Sequence, residues 1–316
     1  MIFIGPTLLS GIGQVVNKYC DLMGGTYIQF GQDFPANQNV FLFALPISQW
    51  LEAIPMIKKR SRKVLCMTVC ETETVHPDYG KLFELFETIL TPSVFCQKVF
   101  QRQFPGTTFE VLRHYVPLTL PSQKNVFGLP QDHYIFYHVG NVIDPRKNVK
   151  RIIESFIRLQ LPKSLLVLKA TCSMPVEWKI PGVHVINGLL PDDAIRSLHN
   201  ECHCYVSFSS SEGVGMGAVE AALYNKPVII TEYGAPPEYI KTPYTITCGR
   251  QAIEQDDFLF QKGMVWGKPD FDQLMTCMKH AYDNKVYFQD HAWTRDIVSG
   301  ETIKNSIQDS FFCKKM

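Results

Sequence analysis

The sequence predicts an α/β protein built from two Rossmann-like domains that face a cleft. Three observations carry that prediction. Short apolar runs that read as strands alternate with longer amphipathic runs that read as helices, the pattern of parallel βαβ units. The alternation runs twice, broken once by "VPLTLPSQKNVFGLPQDH", a stretch with three prolines and little periodicity. The 316 residues suffice for two domains of about 150 each.

The first half opens with a strand, Met1 to Ile4, then a loop, "GPTLLSGIG", and a helix, "QVVNKYCDLM". Further strands are "VFLFAL", "KVLCMTV", "TILTP" and "FEVLRHYV". Helices are read over "SQWLEAIPMIKKR" and "SVFCQKVFQRQF", the second following Pro92 with Ser93 as its N-cap. In the second half, Tyr134 to Val139 is a strand, and Val149, Ile152, Ile153, Phe156 and Ile157 form one apolar helical face. "SLLVLKA", "VHVINGLL", "CYVSFS" and "KPVIITE" read as strands, with helices at "PDDAIRSLHNE" and "MGAVEAALYN". "WTRDIVSGETIKNSIQDSFF" is helical and follows an apparently finished domain, so it is expected to pack back on the first one. The resulting division is 1–121 for the first domain, 122–132 for the linker, 133–290 for the second domain and 291–316 for the returning helices. Substrates are expected at the carboxyl ends of the strands.

Composition removes several function classes. Apolar residues make 46% and charged residues 19%, a globular balance. The formal charge of +1 gives no strong attraction to nucleic acid or acidic membranes, and no aromatic ladder suggests a single-stranded nucleic acid. Ten cysteines contain no CxxC pair, so no metal site is expected, and buried free thiols in a reducing, cytoplasmic setting are. Cys66 and Cys70 fit one face of a strand. The opening segment lacks a positive region and a cleavage site, and no run reaches about 18 uninterrupted apolar residues. The oligomeric state is open.

Chemistry concentrates in "SEGVGMGAVEAALYNKPVI", Ser211 to Ile229. It reads as strand end, glycine-rich loop and helix start. A helix N-terminus offers unpaired N–H groups and about half a unit of positive charge. Gly213, Gly215 and Gly217 let backbone amides approach an anion. Glutamates do not touch phosphate, but they accept hydrogen bonds from sugar hydroxyls. Glu212 and Glu220 at either end of such a loop imply a nucleotide-sugar.

At these residues the chain resembles the retaining GT-B glycosyltransferases of family 4, whose signature has the form Glu-x7-Glu. "YHVGNVIDPRKNVKRIIESF", "GLLPDDAIRSLHNECHCYVSFSSSEG" and "TEYGAPPEYI" resemble flanking segments of the family in order and spacing. In the first half "SGIGQVV", "ETILTPSVFCQKVFQ" and "HYVP" do so more loosely. The resemblance runs strongest from Tyr134 to Ile240.

The resemblance implies a GT-B fold and transfer of a hexose, with retention and without a metal or other cofactor, from a nucleotide-diphosphate sugar to an acceptor hydroxyl. It implies that Lys147 neutralises the diphosphate, Glu220 binds the ribose and Glu212 contacts the transferred sugar. Val214, Gly215, Met216 and Gly217 would cradle the distal phosphate, with Gly213 in the same loop. Gly188 and Leu189 would lie against the base, and Gly11 to Gly13 near phosphates and acceptor. Where the family has an arginine after the glycine that is Gly140 here, this chain has Asn141, and Arg146 offers a second cation. His76, after a strand, is placed as a catalytic candidate toward sugar or acceptor, against a plain surface histidine. His138, within a strand, reads as a satisfied core histidine. The expected partners are a glycan, glycoprotein or lipid acceptor and, separately, a peripheral membrane contact.

Two other functions stay open: a nucleotide-sugar epimerase of the same fold, and a non-catalytic sugar-nucleotide or glycan-binding module. A dehydrogenase is more distant, because Val16 stands where the dinucleotide fingerprint needs its third glycine.

Overall fold

The structure is a computed structural model that describes residues 1–123, 125–172 and 174–312. Lys124 of the expected linker and residues 313–316 of the last segment lie outside the described residues. The chain divides into two compact units. The first comprises residues 1–117, 252–265 and those from 296 on, and the second comprises 118–251 and 266–295. The segment 252–265 was expected within the second domain; it groups with the first unit.

The first unit alternates β1 (Ile2–Gly5), α1 (Gly11–Met23), β2 (Thr26–Gln29), β3 (Asn39–Phe43), α2 (Ser48–Arg60), β4 (Lys63–Met67), α3 (Asp78–Phe83), β5 (Thr88–Thr91), α4 (Val94–Gln103) and β6 (Thr108–Val111). Its sheet has the order β2-β1-β3-β4-β5-β6, and every pairing is parallel. Of the inner strands, β1, β3 and β5 are almost wholly buried, as parallel strands covered by helices are, while β4 is buried only at its carboxyl end. Ser93 caps α4 as expected, accepting from Cys96 N at 3.2 Å.

The second unit begins with β7 (Tyr134–Gly140), α5 (Val149–Leu159), β8 (Ser164–Ala170), β9 (Val183–Ile186), α6 (Asp192–Glu201) and β10 (Cys204–Val206). It continues through α7 (Met216–Leu223), β11 (Val228–Thr231), α8 (Pro236–Tyr239), β12 (Thr245–Ile246), β13 (Cys248–Ala252), β14 (Val265–Pro269) and α9 (Phe271–Asp283). β13 and β14 form a separate two-stranded ribbon. The main sheet has the order β12-β11-β10-β7-β8-β9 and is also all parallel. In chain order this is the doubly wound 3-2-1-4-5-6 arrangement.

α10 (Ala292–Ile297) and α11 (Gly300–Phe312) close the described chain. α11 lies against α1 and β4, and Lys63 Nζ donates to the carbonyls of Ser310 and Phe311, both at 2.8 Å. The stretch between Val111 and Tyr134 has no regular element among its described residues. It is fastened to α6, since Ser122 N donates to Asp193 Oδ1 at 3.0 Å and Ser197 Oγ to Gln123 O at 2.6 Å.

Four sequence readings need correction. α1 starts at Gly11 rather than at Gln14, because Ser10 caps it and draws both glycines into its first turn. Ile157 points to solvent, and the buried face of α5 is Val149, Ile152, Ile153 and Phe156. The strand read over "FEVLRHYV" ends at Val111. β4 ends at Met67, so Cys70 lies beyond the strand, although it is buried like Cys66. The nine described cysteines are free thiols. Burial raises the pKa of the Cys66, Cys202 and Cys204 thiols, which keeps them protonated.

Candidate active site

In the second sheet β7 and β10 are neighbours, and the chain leaves them in opposite directions, toward β8 and toward β11. That is a topological switch point, where the carboxyl ends of two strands leave a crevice between diverging loops. The loop after β7 carries Asn141, Arg146 and Lys147, and the loop after β10 carries Glu212 to Gly215. The sheet order therefore brings together residues 65 positions apart.

The β7 loop is shaped by local rules. Asn141 begins a turn, with Asp144 N donating to its carbonyl at 3.2 Å, and its side chain accepts from Ile143 N at 3.3 Å. Asp144 then caps a 3-10 turn over Pro145–Lys147, accepting from Arg146 N at 2.9 Å. Asn148 follows at φ +51°, a left-handed conformation that asparagine tolerates better than most residues. Its amide donates to Phe208 O at 3.1 Å and to Ser210 Oγ at 2.9 Å, and Ser210 N donates to Arg146 O at 2.8 Å. These bonds tie the two loops together.

Glu212 sits at the centre and is 6% exposed. Its Oε1 accepts from Lys147 Nζ, and from Ser209 Oγ at 2.7 Å. Its Oε2 lies 3.1 Å from Arg146 Nη1. Arg146, itself buried, also donates to Ser211 O at 2.6 Å and to Asp144 Oδ2 at 3.2 Å. Burial pushes the Glu212 carboxyl upward, but the charges of Lys147 and Arg146, with hydrogen bonds from Lys147 and Ser209, win and hold it at about 2. Glu212 is thus an ionised, fully bonded carboxylate at neutral pH.

α7 starts beside this cluster with no side chain capping it. Its first intrahelical bonds run from Ala218 and Val219 to Gly215 O, at 3.0 and 3.1 Å. The amides of Met216 and Gly217 precede them, among those a helix start leaves unpaired. Gly215 turns the chain into the helix at φ +85°, which favours glycine. Gly217 is required by packing, because a Cβ there would stand 2.4 Å from Tyr205 Oη and 3.1 Å from Val139 O. The sequence reading assigned both glycines to phosphate approach and missed the second reason.

Glu220, on the second turn of α7, is half-buried, and its Oε2 lies 3.7 Å from His199 Nε2. Gly188 and Leu189 lie in the loop between β9 and α6, where Leu189 is exposed. Gly11, Gly13 and His76 belong to the first unit. The two glycines lie in the first turn of α1, with Gly13 N donating to Ser10 Oγ at 3.0 Å. His76 precedes α3, and its Nδ1 accepts from Asp78 N at 3.1 Å.

Several contributors escaped sequence reading. Ser209, Asp144 and Asn148 hold the cluster, but each is an ordinary polar residue until the two loops meet. His138 is a correction: it is buried and its Nδ1 meets Val206 O at 2.8 Å, but its Nε2 has no hydrogen-bond partner among the described residues. Burial, helped by Lys147, lowers its pKa to about 4. Among the described residues no cluster of three metal-ligating side chains occurs, and no helix is long and apolar enough to cross a membrane.

Residues 177–255 match the family model described as Glycosyl transferases group 1, a window that includes both glutamates. No curated protein matches the chain. Among solved structures, Anabaena HepE in complex with UDP-glucose aligns with a TM-score of 0.69 and 13% identity, over 98% of each chain. A variant of S. aureus TarM, solved with UDP and alpha-GlcNAc-glycerol, aligns with a TM-score of 0.58 and 12% identity over 86% of this chain. The present chain spans only 55% of that one. Sucrose-phosphate synthase from Thermosynechococcus elongatus gives a TM-score of 0.55 and 14% identity, over 93% of this chain and 72% of that one. The architecture is the GT-B fold of glycosyltransferases, with two Rossmann-like domains.

Proposed function

We propose that this protein is a retaining glycosyltransferase that moves a hexose from a nucleoside-diphosphate sugar to an acceptor hydroxyl on a glycan, glycoprotein or lipid. The observation that carries the reading is the convergence of Arg146, Lys147 and Glu212 beside the uncapped start of α7. HepE was solved with UDP-glucose and aligns over 98% of its length, which makes UDP-glucose the first donor to try.

In this scheme the diphosphate leaves the anomeric carbon and gathers charge as it goes. The Met216 and Gly217 amides and Lys147 meet that charge already in place, the arrangement that lowers such barriers most. Lys147 exchanges part of its contact with Glu212 for the phosphate. Glu212, fixed by Arg146 and Ser209, faces the transferred sugar, and Glu220 takes the ribose hydroxyls. A freed diphosphate oxygen accepts the acceptor's proton, so the reaction needs neither a strong protein base nor a metal cofactor. Buried reduced thiols fit a cytoplasmic enzyme.

The kinetic test separates the two carboxylates. Glu220→Ala is expected to weaken donor binding by about tenfold with a smaller change in turnover, as loss of one hydrogen bond to a charged group does. Glu212→Gln is expected to lower kcat by about a hundredfold or more with a smaller change in donor Kd. Equal losses of affinity in both would refute the roles. Product analysis with donor alone distinguishes an epimerase, which turns over without acceptor.

A further inference from the structure

His199 lies on α6, is 1% exposed, and is gripped on three sides. Tyr224 stacks on its ring at 5.5 Å and 10°. Tyr205 lies at 6.5 Å and 30°, and Tyr137 meets it edge-on at 5.5 Å and 71°. Tyr137 Oη is 2.9 Å from His199 Nδ1. On the far side of the ring, Nε2 has no hydrogen-bond partner among the described residues and lies 3.7 Å from Glu220 Oε2.

The hydrogen-bond inventory fixes the proton. Tyr137 is fully buried, and its hydroxyl meets only His199 Nδ1 among the described residues. If Nδ1 carried the hydrogen, the phenol proton would be buried without an acceptor, and the bare Nε2 lone pair would face a carboxylate. With the phenol donating to Nδ1, both conflicts vanish, and an Nε2–H is aimed at Glu220. At 3.7 Å that contact is beyond hydrogen-bond range, and a carboxylate shift on the order of 0.7 Å closes it.

We infer that Tyr137 and His199 form a buried relay that orients the Glu220 carboxylate to receive a ribose diol. The inference rests on the reading of Glu220 as the ribose acceptor. In the relay one carboxylate oxygen is held by the imidazole N–H and the other is presented to the diol. Neither Tyr137 nor His199 touches the nucleotide, so both are positioning residues. Their effect is on the ribose hydroxyls alone, not on the diphosphate.

The test compares binding of UDP and 2′-deoxy-UDP by calorimetry. The wild type is expected to prefer UDP by about tenfold, one hydrogen bond to a charged group. His199→Phe keeps a stacking ring but has no N–H, and should reduce that preference to below about twofold. His199→Gln places an amide N–H near the Nε2 position and should restore most of it. Tyr137→Phe, which frees the tautomer and leaves the ring fold intact, should reduce the preference by a smaller factor, and it decides the matter if His199→Phe does not fold. A full preference retained by both His199→Phe and Tyr137→Phe overturns the inference while leaving the Glu220 reading standing. A wild type that binds both nucleotides equally, or a Glu220→Ala variant that keeps the preference, overturns the Glu220 reading and the relay with it.

Discussion

Each unit has a switch point, and the two are built differently. In the first, β1 lies between β2 and β3, and the chain runs from β1 into α1. Ser10 seals that helix start, since its hydroxyl accepts from Gly13 N at 3.0 Å and donates to Thr7 O at 2.8 Å. In the second, α7 starts without a cap, and two cations and a carboxylate are packed beside it. The same parallel topology supplies a crevice in both places. Among the described residues, the second differs in having a buried carboxylate and two cations packed beside its helix start. Architecture provides an address, and the chemistry depends on what the loops there leave unsatisfied.

The contrast can be broken most directly at Glu212. Glu212→Ala removes the carboxylate between buried Arg146 and partly buried Lys147, and is expected to cost about 3–5 kcal/mol in urea unfolding. A loss as small as that of an ordinary surface residue would mean that the cluster is solvated and unremarkable. The pH dependence is the next largest effect. The Glu212 carboxyl titrates at about 2 in the fold against an ordinary value of 4.5. Its stabilisation is therefore complete above pH 4.5 and is lost as pH falls toward 2. The size is on the order of 3 kcal/mol, visible as the difference between wild type and Glu212→Gln. Buried and partly buried histidines add a separate acid sensitivity. His114 in the first unit is lowered to about 3, and His138 and His203 in the second to about 4, all by burial first. Their unfolded forms take protons below pH 6.5 while the folded forms do not, so stability should begin to fall there in both units. Smallest is Ser10→Ala, which removes the cap of α1 and should cost about 1 kcal/mol. A cost rivalling that at Glu212 would erase the distinction between the two switch points.

Much of this was legible from sequence, for identifiable reasons. Most inner strands are buried on both faces, so β3, β7, β8 and β11 appear as largely apolar runs. α2 spans Ser48–Arg60, the full stretch its pattern marks, even with Pro55 inside. β2 was missed because "TYIQ" is a half-exposed edge strand with no such run. α3 was missed because six residues after a proline are too few to show a period. In the site, the glutamates stood out through their spacing around glycines, and Lys147 through the family resemblance. The bonds that fix them did not, because Arg146 and Glu212 meet only when β7 and β10 pair. The same holds for Tyr137 and His199, which are 62 positions apart. Local patterns report faces and caps, whereas a charge cluster is a property of sheet order.

The return of α11 to α1 and β4 bears on how the polypeptide is made. The first unit joins residues 1–117 to residues from 296 on, which are translated only after the intervening unit. Its opening sheet must wait, with part of its surface uncovered, while the intervening unit is translated. Translation at roughly 5–20 residues per second makes that delay about 10–40 s, time enough for chaperones to bind what is still bare.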